Sequence, residues 1–156
     1  MSDPLLEYRA RLLDRLETVV PELADAIAAI PESRWPGPLP RGGRSPHALL
    51  AHLRDMEREA YSPRLRRLLS EESPTFDPWD SPDWEAEIYN PNEPLAQILA
   101  DYAGLRESEL QVLSTLQPSD WARSSRHTTL GSRTLQWWVE RMLDYAEDRL
   151  SELRSK

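Results

Sequence analysis

The stretch SPHALLAHLRDMERE, residues 45–59, opens with a serine suited to cap a helix and a proline suited to its first turn. Leu49, Leu50, Leu53 and Met56 recur at helical spacing and are continued by Ala60 and Tyr61. The segment therefore reads as an amphipathic helix running to about residue 70, bent near Pro63. Stepping about 100° per residue puts Glu57 inside the apolar arc beside Leu53 and Ala60, and His52 at its edge near Leu49 and Met56. An imidazole and a carboxylate on the buried side of a helix need partners.

The same periodicity gives three more helices. The first begins at Asp3 and Pro4 with Leu5, Leu12, Leu16 and Val19 on one face, should kink or break at Pro21, and carries on to about residue 30. The third follows Pro94, with Ile98, Leu99, Tyr102, Leu105, Leu110 and Leu113 on its face, and ends at QPSDW (117–121), a turn that inserts Trp121. The fourth, capped by Ser132 or Thr134, lines up Leu135, Trp138, Val139, Met142, Ala146, Leu150 and Leu153. Between the first two helices lies a loop rich in proline and glycine, and ARSSRHTTLGS (122–132) is read as a second loop. Residues 71–93 form a long crossover with acidic but no basic residues. Phe76, Trp79, Trp84 and Tyr89 stand among its prolines, so it is expected to lie pinned on the bundle rather than disordered. No segment has strand periodicity and no repeat of fixed length is visible. The expectation is a single all-α domain over residues 1–156, a four-helix bundle with a long aromatic crossover between helices two and three.

Composition excludes several kinds of chemistry. The chain has no cysteine, hence no disulfide, thiolate nucleophile or cysteine-ligated metal. Its 19 basic residues are all arginine except Lys156, which argues against a Schiff-base lysine. A net charge of −8 argues against nucleic acid as a partner. No apolar run approaches the ~20 residues needed to cross a bilayer, so no membrane association is expected. The opening MSDPLLEYRARLL does not resemble a signal peptide, and the expected location is cytoplasmic.

On the fourth helix, Arg149 falls inside the apolar arc between Met142 and Leu153, with Tyr145 at its edge, whereas Asp144 and Asp148 face away. Helix three places Arg106 and Glu109 on its own apolar face. Buried charges of both signs should meet, and the expected partner of Arg149 is Glu57 or Glu109. Three readings stay open: long side chains reaching to water, a polar layer fixing the register of the bundle, or a ligand site. His127 reads as a loop residue, and PRGGRSP (40–46) lacks the preceding strand that a phosphate loop needs.

Taken in order, SPHALLAHLRDMERE and LQPSDWARSSRHTTLGSRTLQWWVERMLDYAEDRLSEL (116–153) resemble the DinB/YfiT-like superfamily of four-helix bundles over essentially the whole chain. The resemblance implies a divalent metal held by one histidine on helix two and two histidines four apart on the last helix. His52 matches the first; the other two positions fall on Tyr145 and Arg149. A guanidinium has no lone pair to give, so no metal or other cofactor is expected there. A shifted site at Asp144 and Asp148 is disfavoured because both face solvent.

The resemblance also implies a frequent tendency to form homodimers. The leading expectation is a metal-free relative whose bundle cavity binds a small molecule. An anionic group on it would meet Arg149, with hydrogen bonds from His52 and Tyr145, Glu57 nearby, and Trp121 or a crossover aromatic as a wall. The alternatives are a dimerising interaction protein, or a metal-dependent thiol transferase or hydrolase with an altered site.

Overall fold

The computed structural model describes residues 3–80 and 82–155. Helix α1 spans Pro4–Ala28, with Asp3 accepting the Leu5 N–H as its cap. It runs through Pro21 without a break. The lost backbone bond is outweighed by one continuous buried stripe: Leu12, Leu16, Val19, Leu23, Ala26 and Ile27.

Helix α2 (Pro46–Met56) starts with Ser45 Oγ accepting from Ala48 N at 3.1 Å. The bend expected near Pro63 is a π turn, Glu57–Tyr61, after which the rod continues as α3 (Ser62–Ser70). Proline at 63 has no N–H and crowds the carbonyl four residues back, and the wider turn relieves that crowding. Helix α5 (Leu95–Leu113) and helix α6 (Leu135–Arg154) complete the bundle, α6 being capped by Thr134 Oγ1, which accepts from Trp137 N.

Three short strands depart from the helix-only expectation: β1 (Thr75–Phe76), β2 (Ser124–His127) and β3 (Gly131–Thr134). Strand β2 pairs antiparallel with β3 through a turn closed by Gly131 at φ 78°, and parallel with β1. Alternation is present in β2, but its inward residues are Ser125 and His127. An apolar-polar pattern cannot reveal a strand whose buried side is polar. Ser125 is buried because its hydroxyl donates to Arg133 O and accepts from Trp138 Nε1 at 2.8 Å.

The crossover is pinned, as its aromatics imply. Strand β1 ties its start to β2, and a short helix α4 (Trp84–Glu87) buries Trp84 with Nε1 on Asp55 at 3.0 Å. His47 Nε2 donates to Glu93 O and its Nδ1 meets the Tyr89 hydroxyl. Arg54 grips Glu93 through both terminal nitrogens. These bonds carry the crossover across the outside of α2, over His52. No helix among the described residues is long and apolar enough to cross a membrane.

Candidate functional site

His52 is 1% exposed. Its Nε2 lies 2.8 Å from Asp80 Oδ1 and its Nδ1 lies 3.0 Å from the Tyr145 hydroxyl. A carboxylate accepts, so Nε2 carries the ring proton, and Nδ1 accepts from Tyr145. Trp84 meets the ring edge-on at 4.9 Å and Trp79 lies tilted at 5.6 Å. Burial holds the imidazole below the ordinary histidine range; the Asp80 hydrogen bond opposes this, while Arg44 and Arg149 reinforce it. The ring is neutral at pH 7.

Tyr145 lies beneath Arg149, whose guanidinium carbon is 4.6 Å from the phenol centroid. Burial pushes the Tyr145 phenol up, with Arg149 pulling it back. Arg44 places its guanidinium 5.3 Å over the Trp84 ring. Two cations therefore stand around a neutral histidine.

The expected partner of Arg149 was Glu57 or Glu109, and the structure gives another. Arg149 pairs with Glu152 one turn on, at 2.8 Å between Nε and Oε2. Glu57 and Glu109 belong to Arg106, whose Nη2 reaches Glu57 Oε1 at 3.2 Å and whose Nε reaches Glu109 Oε1 at 3.1 Å. The same guanidinium donates to Leu16 O and to the Tyr102 hydroxyl. Arg106 wins because it sits in the middle of α5, facing the core, whereas Arg149 lies near the end of α6 with a carboxylate already three residues away. The charges therefore form two separate groups: a sealed layer around Arg106, and a second group around His52.

Trp121 is buried elsewhere. It lies in a 3₁₀ turn, Pro118–Ala122, under the guanidinium of Arg9 at 5.1 Å. That turn is tied to the start of α6 by the Leu135 N–H to Arg123 O bond. Tyr145 is ten residues further along, about 15 Å at 1.5 Å per residue. Trp121 does not wall the His52 group; Trp79, Trp84 and Asp80 of the crossover fill that place. The aromatic residues of the crossover marked it as pinned but carry no information on which of its residues lands on His52. Asp144 and Asp148 are exposed, as the helical count implies. His127, read as a loop residue, is a buried strand residue beside Trp138.

Tested as metal ligands, His52, Tyr145 and Arg149 do not fit. Both His52 nitrogens have protein partners, the phenol is protonated and donating, and the guanidinium is a fixed cation. Among the described residues no group of three or more His, Asp or Glu side chains is placed to hold a metal ion.

Neutrality of His52 predicts a pH effect. An unfolded histidine titrates near 6.5 and the folded ring lower. The stability it contributes is full above about 6.5 and is lost as pH falls toward the folded value. His52→Gln should therefore lose less stability than the wild type between pH 7 and pH 5 in urea titrations. His127, also held low chiefly by burial, supplies a remaining slope. Equal acid sensitivity in both proteins would contradict the assignment.

The arrangement defines a class: a four-helix bundle with a histidine of helix two and the last helix facing each other across a buried position, here closed by protein groups. Residues 5–153 match the sequence profile of the DinB superfamily, and the chain belongs to that superfamily. A protein of Oceanobacillus iheyensis, named provisionally as a metal-dependent hydrolase, is 33% identical over 91 residues. That match covers 58% of this chain and 52% of the other, so the chain spans about half the length of this curated relative. In shape the chain is similar to YfiT from Bacillus subtilis, described as a probable metal-dependent hydrolase with an unusual four-helix bundle topology. The TM-score is 0.86 at 22% identity, over 98% of this chain and 86% of that one. At that identity the likeness speaks for the fold.

Proposed function

We propose that this chain is a DinB superfamily member that works without a metal and binds a small molecule beside its closed ligand position. The observation that carries the reading is the engagement of both His52 nitrogens, by Asp80 and by Tyr145, with Arg149 stacked on the tyrosine. A dication about 5 Å from one guanidinium is repelled by about 6–7 kcal/mol at an effective dielectric constant of about 20. One imidazole cannot offset that, and Arg44 adds a second cation. Neighbouring space supports a ligand role: a cleft of about 130 Å³ shares Trp79 and Asp80 with the His52 group and is lined further by Tyr61, Trp138 and Leu130.

The test is thermal unfolding with a panel of small organic acids, amines and neutral aromatics, before and after dialysis against a strong chelator. The reading expects at least one compound to raise the midpoint by several degrees, with the same shift after chelation. A shift that disappears with the chelator and returns with zinc, nickel or manganese would overturn it.

A further inference from the structure

The cleft of about 130 Å³ lies between the π turn, residues 78–80 of the crossover, the β2–β3 hairpin and α6. Its lining is unusual in what it offers to hydrogen bonds. Arg64 and Arg141 both line it, and neither has a carboxylate within ion-pair distance among the described residues. Other arginines, Arg66 and Arg123 for example, also bond only hydroxyl or carbonyl oxygens among the described residues; what is particular to Arg64 and Arg141 is that both line one cleft. Arg64 is the half-buried one. It rests on Trp138, 4.9 Å from the ring centroid, and donates to the Asp77 carbonyl at 2.8 Å, which anchors it without neutralising it.

Two further donors belong to the same lining. His127 Nδ1 accepts the backbone N–H groups of Thr129 and Leu130, both at 3.1 Å, so its ring proton sits on Nε2. Burial, with Arg64 in support, holds that ring below the usual histidine range. It is a neutral donor. The Tyr61 hydroxyl has no hydrogen-bond partner among the described residues. The carboxylate in the lining is Asp80, whose Oδ1 is already held by His52.

We propose that this cleft binds a small organic monocarboxylate, with Arg141 and Arg64 holding the carboxylate and Trp79 and Trp138 flanking its apolar body. Within the lining two guanidinium cations face the one carboxylate of Asp80, and the Glu59 carboxylate on Trp79 Nε1 and Asp77 beside His127 stand just outside it, a balance that suits a monoanion better than a phosphate dianion. The volume is that of about four water molecules in the liquid, enough to enclose the carboxylate and a short body, while a ring would extend past the exposed Asp80 and Arg141. Apolar lining from Met56, Ala60 and Leu130 favours a carboxylate carried on a short hydrocarbon or a single ring. The proposal rests on the metal-free reading above and names the ligand class for it.

Tryptophan emission of the full chain reads the test directly, because Trp79 and Trp138 line the cleft. Propionate and benzoate are titrated at constant ionic strength, with benzamide, inorganic phosphate and chloride as controls. Saturable changes with the two carboxylates are expected, and none with benzamide. Arg141→Gln, a change at an exposed position, should weaken benzoate at least 10-fold without lowering the thermal midpoint. Arg64→Met should do the same, and because Arg64 packs on Trp138 its fold is checked by circular dichroism. Equal binding of benzamide, tighter binding of phosphate, no saturable change with either carboxylate, or benzoate affinity unaffected by Arg141→Gln would each overturn the proposal. If a neutral or basic compound from the panel binds independently of metal instead, the carboxylate assignment falls while the metal-free reading stands.

Discussion

Replacing Arg106 with methionine should lower the unfolding free energy by about 3–5 kcal/mol, the range for removing one partner of a buried ion pair. Arg106 is 1% exposed and bonds to Glu57, Glu109, Tyr102 and the Leu16 carbonyl. Methionine fills much of the volume but satisfies none of these groups. The cost comes chiefly from buried acceptors left without a donor, not from lost attraction. Chemical denaturation at pH 7 measures it, and a loss below about 1 kcal/mol would show that the layer is not what holds α1, the π turn and α5 in register.

The companion variant Glu109→Gln should behave oppositely. Burial and the neighbouring Glu57 carboxylate push Glu109 up to about 10, against the opposing pull of Arg106. The layer then carries one cation and one anion. An unfolded glutamate titrates near 4.3, so the folded state keeps a proton that the unfolded state releases, and rising pH between about 4 and 10 favours unfolding. Glutamine keeps the shape and removes that slope. The stability of Glu109→Gln relative to the wild type should therefore increase from pH 5 to pH 9, and a constant difference would contradict the protonation.

The second large effect is a gain. Tyr145→His combined with Arg149→His replaces a donating phenol and a fixed cation with two imidazoles four residues apart, opposite His52. Both changes are needed: removing the cation alone leaves one imidazole and a protonated phenol. The double variant should bind zinc or nickel at least 100-fold more tightly than the wild type in calorimetric titration, with proton release and a rise in thermal midpoint. Arg149→Leu alone should gain little. A double variant that folds normally and still ignores both metals would mean that the closure by Asp80 and the crossover tryptophans, rather than the residue types on α6, governs the site.

The bundle was legible because its helices are written in leucine stripes with explicit caps: Asp3, Ser45 and Thr134 all perform the role their sequence position suggests. The hairpin was not, since the inward side of β2 is serine and histidine and its burial depends on Trp138, contributed by another element. At the site, helical phase put His52 and Tyr145 each at the edge of its own apolar arc, and the family resemblance placed them at one position, where a hydrogen bond joins them. Helical phase also identified Arg106, Glu57, Glu109 and Arg149 as charges on inward faces, but phase says nothing about how far along the axis two charges meet. Arg149 therefore found Glu152 and left the central pair to Arg106. Asp80 was out of reach of any local pattern, because it arrives from 28 residues away through a chain of tethers at Trp84, Tyr89 and Glu93.

The most direct test is elemental analysis of the wild-type protein purified without chelator, followed by titration with cobalt(II) and its visible absorption. The account predicts less than about 0.1 equivalent of any transition metal and no ligand-field band on adding cobalt. One equivalent of tightly held metal, with cobalt bands that vanish in His52→Gln, would contradict it.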